Sequence, residues 1–139
     1  MPVVFVASSR ELGKWGGDVG LTKHIYKLGV TEDSAEVAVQ AMNEIACAGF
    51  SDWKLLQAET IETADEDALI ARLAQRERMV DPGLYPKIRG ARGIFKVKPE
   101  NVENHFLVKH ALENEQTELK LFKAKPADFG TYLINSALR

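Results

Sequence analysis

Pro2-Val3-Val4-Phe5-Val6-Ala7-Ser8, with Ile25-Tyr26-Lys27-Leu28-Gly29-Val30 downstream of it, decides the fold. Both stretches are short, apolar and rich in β-branched residues, and the first is closed by Ser8-Ser9. Each reads as a buried strand, and the two are most simply antiparallel partners. Between them, Arg10 to Lys23 is polar and carries Gly13, Gly16, Gly17 and Gly20. This composition predicts a long loop, and loops of that length in compact domains are often functional.

Working outward, Asp33 with Glu36 predicts a capped helix start, and Gly49 follows its last turn. Val37, Ala41, Ile45 and Ala48 form the expected apolar stripe, and Cys47 falls on the same helix as a small filler. Trp53 to Ala58 reads as a third strand. Thr63 with Glu66 predicts a second capped helix, running to about Val80 and stopped by Asp81-Pro82-Gly83. Its inward face takes Ile70, Leu73, Ala74 and, at i+7, Glu77. Gly93 to Lys98 alternates, with Phe95 and Val97 on one side and Lys96 and Lys98 on the other, which reads as a half-exposed strand. A helix with Val102, Phe106 and Ala111 follows Pro99, Glu118 to Lys125 has no clear period, and a closing helix from Pro126 docks through Phe129, Tyr132, Leu133 and Leu138. The expectation is an α/β (α+β) fold, a small, mainly antiparallel sheet flanked by helices. Residues 1–139 read as a single domain, with a core at about 3–98 and a helical extension over 99–139.

Bulk properties agree with an ordinary globular chain: 139 residues, 45% hydrophobic and 27% charged. No stretch has the length of a membrane helix and the start lacks a basic signal region, which predicts a cytoplasmic protein with no membrane partner. Cys47 is the only cysteine, so an internal disulfide is excluded. His24, His105 and His110 are scattered, without the spacing of a metal motif.

The net charge of -2 hides an uneven distribution. Met1 to Thr60 holds 5 basic and 8 acidic residues. Between Arg72 and Lys98, by contrast, Arg72, Arg76, Arg78, Lys87, Arg89, Arg92, Lys96 and Lys98 face only Glu77 and Asp81, a surplus of +6. Such a segment can attract a polyanion or can serve as a solvated face. Glu77 is the other unusual position. A carboxylate on an inward face must either sit at the rim with a cation such as Arg76, Arg78 or Lys87, or border a cleft. Gly17-Asp18-Val19-Gly20 lacks the glycine spacing of a dinucleotide turn, Gly13-Lys14 is followed by Trp15 where a P-loop needs Ser or Thr, and Ser8-Ser9 lacks the flanking glycines of a nucleophile elbow.

The arrangement of strand, glycine-rich segment, strand with Tyr26-Lys27-Leu28-Gly29-Val30-Thr31, helix, strand, helix with inward Glu77, and then Arg89-Gly90-Ala91-Arg92-Gly93-Ile94-Phe95 resembles the GIY-YIG endonuclease superfamily. The likeness is to its phage-type branch with a YKIG second motif, and it extends from about Val3 to Val97. It implies that Tyr26 and Gly29 occupy the second motif, with Tyr26 and Glu77 as catalytic candidates and Glu77 as ligand of a divalent ion such as Mg²⁺. Two departures imply lost cleavage. Val3-Val4-Phe5 puts a phenyl ring where the family has a tyrosine, and no Lys or Arg lies between Lys27 and Lys54, where it has an arginine. The expected function is a catalytically degenerate domain binding DNA or RNA through Arg76, Lys87, Arg89, Arg92 and Lys96. Its rivals are a protein-interaction domain and an active metal-dependent endonuclease, the latter with Tyr26 as general base and Arg72, Arg76 or Arg89 supplying the missing charge.

Overall fold

The computed structural model describes residues 1–21, 23–63, 65–81, 83–85, 88, 93–113 and 125–138, with side chains at all of these except 109–113. Its strands are β1 (Val3–Ser9), β2 (Ile25–Thr31), β3 (Trp53–Thr60), β4 (Arg78–Met79) and β5 (Ile94–Lys96). They form one antiparallel sheet in the order β3-β1-β2-β5-β4. The helices are α1 (Arg10–Asp18), α2 (Ala35–Glu44), α3 (Glu66–Ala74), α4 (Pro99–Glu113) and α5 (Pro126–Leu138). This is the α+β class that the strand and helix patterns predict, and no described helix is long and apolar enough to cross a membrane.

Side chains alternate across the sheet, so each face gathers its own core. Val4, Val6, Tyr26, Leu28, Phe95 and Val97 face α3, α4 and α5, where they meet Leu69, Ile70, Leu73, Val102, Phe129 and Leu133. Phe5, Ala7, Ile25 and Ile94 face the other way and meet Leu12 of α1 with Ala35, Val39 and Met42 of α2. Phe5 pairs directly with Gly29, and a Cβ on Gly29 would stand 2.7 Å from the Phe5 ring. The glycine therefore gives the ring its place.

Several local expectations are corrected. The segment after β1 is a helix rather than a loop. Ser9 is its N-cap, accepting from the Leu12 N–H, and Leu12, Gly13 and Gly16 are buried. Gly13 is there for close approach, because a Cβ would stand 2.9 Å from the Lys23 carbonyl oxygen. The cap of α2 is Ser34, not Asp33. The helix buries Ala35, Val39 and Met42, leaving Val37 and Ile45 exposed. Cys47 lies beyond it, in a 3₁₀ turn whose Cys47 carbonyl accepts from the Trp53 indole. For α3 the cap is Asp65 rather than Thr63, and the helix ends at Ala74, before the short β4. Ala74 points outward and Leu69 takes its place inward. β5 is covered on both faces, since Ile94 is as buried as Phe95.

Candidate functional site

The register brings one end of all five strands together. Ser8 stands opposite Lys54, Ile25 opposite Lys96, and Lys96 in turn opposite Arg78. Two clefts open along this end, and both are walled by cations.

The first, about 420 Å³, is lined by Arg76, Glu77, Arg78, Lys96, Lys98 and Asn101. Arg78 and Lys96 are cross-strand neighbours, an arrangement of like charges that is unfavourable until an anion neutralises it. Glu77 is 5% exposed and is held where the chain leaves α3, its N–H donating to the Leu73 carbonyl. Its Oε1 accepts from the Tyr132 hydroxyl at 2.5 Å and from the Asn101 side-chain amide at 3.1 Å. The carboxylate thus joins the α3–β4 turn to α4 and α5. These donors to Glu77 are neutral side chains, and Lys87, one of the cations expected at its rim, lies outside the described residues. Burial, then the hydrogen bond to Glu77 and its charge, push the Tyr132 phenol up to about 12. Against a divalent ion the fit is poor. Four cations share the cleft, and among the described residues no three His, Cys, Asp or Glu side chains come close enough together to hold a metal.

The second cleft, about 480 Å³, is lined by Ser8, Ser9, Arg10, Gly13, Lys14, Lys23, Ile25, Tyr26, Asp52, Lys54 and Pro126. Asp52 accepts from the Ser9 hydroxyl and, at 3.0 Å, from the Glu11 N–H, so it closes the start of α1. Burial raises the pKa of this carboxyl, but the Ser9 bond and the backbone donors of Glu11, Asp52 and Arg10 outweigh it and hold Asp52 below its ordinary value. Tyr26 packs on Phe129, ring centroids 5.0 Å apart, and burial pushes its phenol up to about 12.

Tyr26 and Glu77 therefore line different clefts, and α5 meets both residues, Phe129 packing on Tyr26 and Tyr132 donating to Glu77. Phe5 lies beside β2 as the resemblance implies, yet its ring is in the core of the opposite sheet face from Tyr26. Arg76 and Lys96 come together, while Arg72 is elsewhere, donating to the Leu138 carbonyl at 2.7 Å. Lys87, Arg89 and Arg92 lie outside the described residues. Sequence reasoning missed Arg78 and Lys98, which share the +6 segment, and also Arg10, Lys14, Lys23 and Lys54, which are dispersed through a stretch of acidic balance. No protein-family model, curated protein or solved structure matches the chain.

Proposed function

We propose that this chain is a nucleic-acid-binding domain of GIY-YIG type without cleavage chemistry, and that it holds a phosphate backbone against the Glu77 cleft. The observation that carries the reading is the meeting of Arg76, Arg78, Lys96 and Lys98 around one carboxylate that is already hydrogen-bonded inward. Arg78, Lys96 and Lys98 give the cleft a positive field for a polyanion, and the repulsion between Arg78 and Lys96 falls when one binds. Three arrangements support the absence of cleavage chemistry in this reading. Tyr26, with its phenol at about 12, is a poor base at neutral pH, Glu77 is in another cleft, and the phenyl ring of Phe5 is in the core of the opposite face.

Fluorescence anisotropy with labelled duplex DNA and RNA, titrated across salt concentrations, tests the binding. If about three cations contact phosphates, the log-log salt slope is close to -3, and Arg78→Ala/Lys96→Ala reduces its magnitude by about 2. Absence of binding at low salt, or a double variant that binds like the parent, would sink the proposal. A protein partner is the second reading, and the outer face of α2 favours it: Val37 and Ile45 are 51% and 75% exposed, with exposed Ala41 between them. A nucleic-acid-binding failure accompanied by loss of a protein contact in Val37→Ser/Ile45→Ser would move the assignment there.

A further inference from the structure

We propose that the Tyr26 cleft is a separate binding site for a small organic phosphate, a phosphomonoester of sugar-phosphate or mononucleotide size. Its lining carries Arg10, Lys14, Lys23 and Lys54 against the single carboxylate of Asp52, a surplus of three positive charges. Asp52 is held by the Ser9 hydroxyl and the Glu11 N–H, and its single charge offsets only one of the four cations. The walls are fixed by packing. Gly13 brings α1 against the Lys23 carbonyl so closely that no side chain fits between them, and Pro126 at the start of α5 bounds the cleft at another of its walls.

A second observation is independent of the charges. Tyr26 is 7% exposed, lines the cleft and is fixed by its packing on Phe129, so a phenolic hydroxyl able to donate or accept stands in the cleft wall on a rigid ring. A phosphate oxygen can accept from it, and the four cations neutralise the dianion. The volume of about 480 Å³ lies within the range typical of small-molecule sites. A terminal phosphomonoester can enter end-on and reach Tyr26, whereas an internal phosphodiester carries chain on both sides. The polymer belongs to the neighbouring cleft and the small phosphate to this one.

Two-dimensional NMR of ¹⁵N-labelled protein tests the assignment, with ribose 5-phosphate, AMP, inorganic phosphate and adenosine as probes. The three phosphates are expected to give saturable shifts confined to residues 8–14, 23–26 and 52–54, and adenosine none. A greater effect of AMP than of ribose 5-phosphate would point to a nucleotide, and equal effects to the sugar phosphate shared by both. Lys14→Ala/Lys54→Ala alters two exposed side chains and is expected to weaken binding about tenfold or more, and Tyr26→Phe, which keeps the ring packing, about threefold to tenfold. Arg78→Ala/Lys96→Ala leaves phosphate binding unchanged while weakening oligonucleotide binding, so the two sites succeed or fail separately. The proposal is overturned if no phosphate saturates at millimolar concentration, if adenosine shifts the same residues, if the shifts fall on residues 76–98 instead, or if Lys14→Ala/Lys54→Ala binds as the parent does.

Discussion

The two clefts at the end of the sheet share a plan, four cations around one carboxylate, but they use the carboxylate differently. Asp52 is exposed and joins the start of α1 to the start of β3 through the Ser9 hydroxyl and the Glu11 N–H, 43 and 41 residues away. Glu77 is buried and joins three segments distant in sequence through side chains 24 and 55 residues away. The lesson is that a lone acid in a basic cleft is not thereby a catalytic group. In both places its hydrogen bonds are spent within the protein, and what remains for a ligand is the ring of cations. The largest expected effect breaks this comparison at its stronger member. Glu77→Ala leaves the Tyr132 hydroxyl and the Asn101 amide without their acceptor and opens a void, for a loss of about 3 kcal/mol, while Glu77→Gln, which keeps an acceptor oxygen, loses about 1 kcal/mol. Urea unfolding measures both. A Glu77→Ala protein as stable as the parent, with a measurable change in function, would return Glu77 to a catalytic role.

Phe5→Tyr comes next and tests whether a tyrosine at the position suggested by the resemblance can act in cleavage. Phe5 is 4% exposed, in the core against α1 and α2, and its ring covers Gly29. A hydroxyl there enters an apolar region away from both Tyr26 and Glu77, so the expected outcome is a loss of about 2 kcal/mol and no Mg²⁺- or Mn²⁺-dependent cleavage of plasmid DNA. Cleavage gained by Phe5→Tyr, and lost again in Phe5→Tyr/Glu77→Gln, would show that the two residues cooperate after all.

These residues also mark how much was legible beforehand. The β1 and β2 runs are rich in β-branched residues and mostly buried, so their strand character and pairing follow from composition. Glu77 is buried, but α3 ends at Ala74, so its i+7 position is not what buries it; it lies in the turn to β4, and its partners Tyr132 and Asn101 are brought to it by the packing of α4 and α5. In α1, glycines read as a loop because close packing against Lys23, which explains Gly13, leaves no local trace, and the acidic partner of Ser9 is 43 residues away. On α2 the Val37/Ala41/Ile45 and Ala35/Val39/Met42 stripes are both helical in period, and only the sheet face chooses between them. The two-residue β4 carries no pattern of its own, so the meeting of Arg78 with Lys96 is visible only in the register. The bunching of charge was legible, its convergence was not.

At the weaker member of the comparison, Asp52→Ala removes the acceptor for Ser9 and Glu11, and the loss expected is that of a helix cap, about 1 kcal/mol. The sign of its pH dependence follows from the direction of its shift. A carboxyl held below its ordinary value contributes stability that is fully present above the unfolded-state pKa and disappears as pH falls through the folded one. The parent should therefore lose this increment in the acid range below the ordinary carboxylate pKa, and Asp52→Ala should show a shallower acid slope. Equal slopes in the two proteins would remove Asp52 from the account of α1.

The smallest effect concerns His24, which stands between the clefts. Its neighbour Lys23 lines one cleft, and its carbonyl accepts from the Val97 N–H between Lys96 and Lys98 of the other. The imidazole lies parallel to the Phe129 ring, centroids 5.1 Å apart. Burial, then the charge of Lys23, lower its pKa, and Glu100 opposes them. Because the folded state binds this proton less readily than the unfolded chain, stability is lost as pH falls below the ordinary histidine value, in the opposite direction to any gain from a new salt bridge. Protonation also adds a cation between the two clefts, so anion binding should strengthen over the same interval in which stability declines. Lys23→Ala removes the second cause and should raise the His24 pKa, read by NMR titration of the imidazole. It should likewise move the rise in anion binding to higher pH, and His24→Gln should abolish both dependences. If anion binding instead stays flat between pH 5 and 7 while the imidazole titrates, the two clefts do not sense His24 and act as unconnected surfaces.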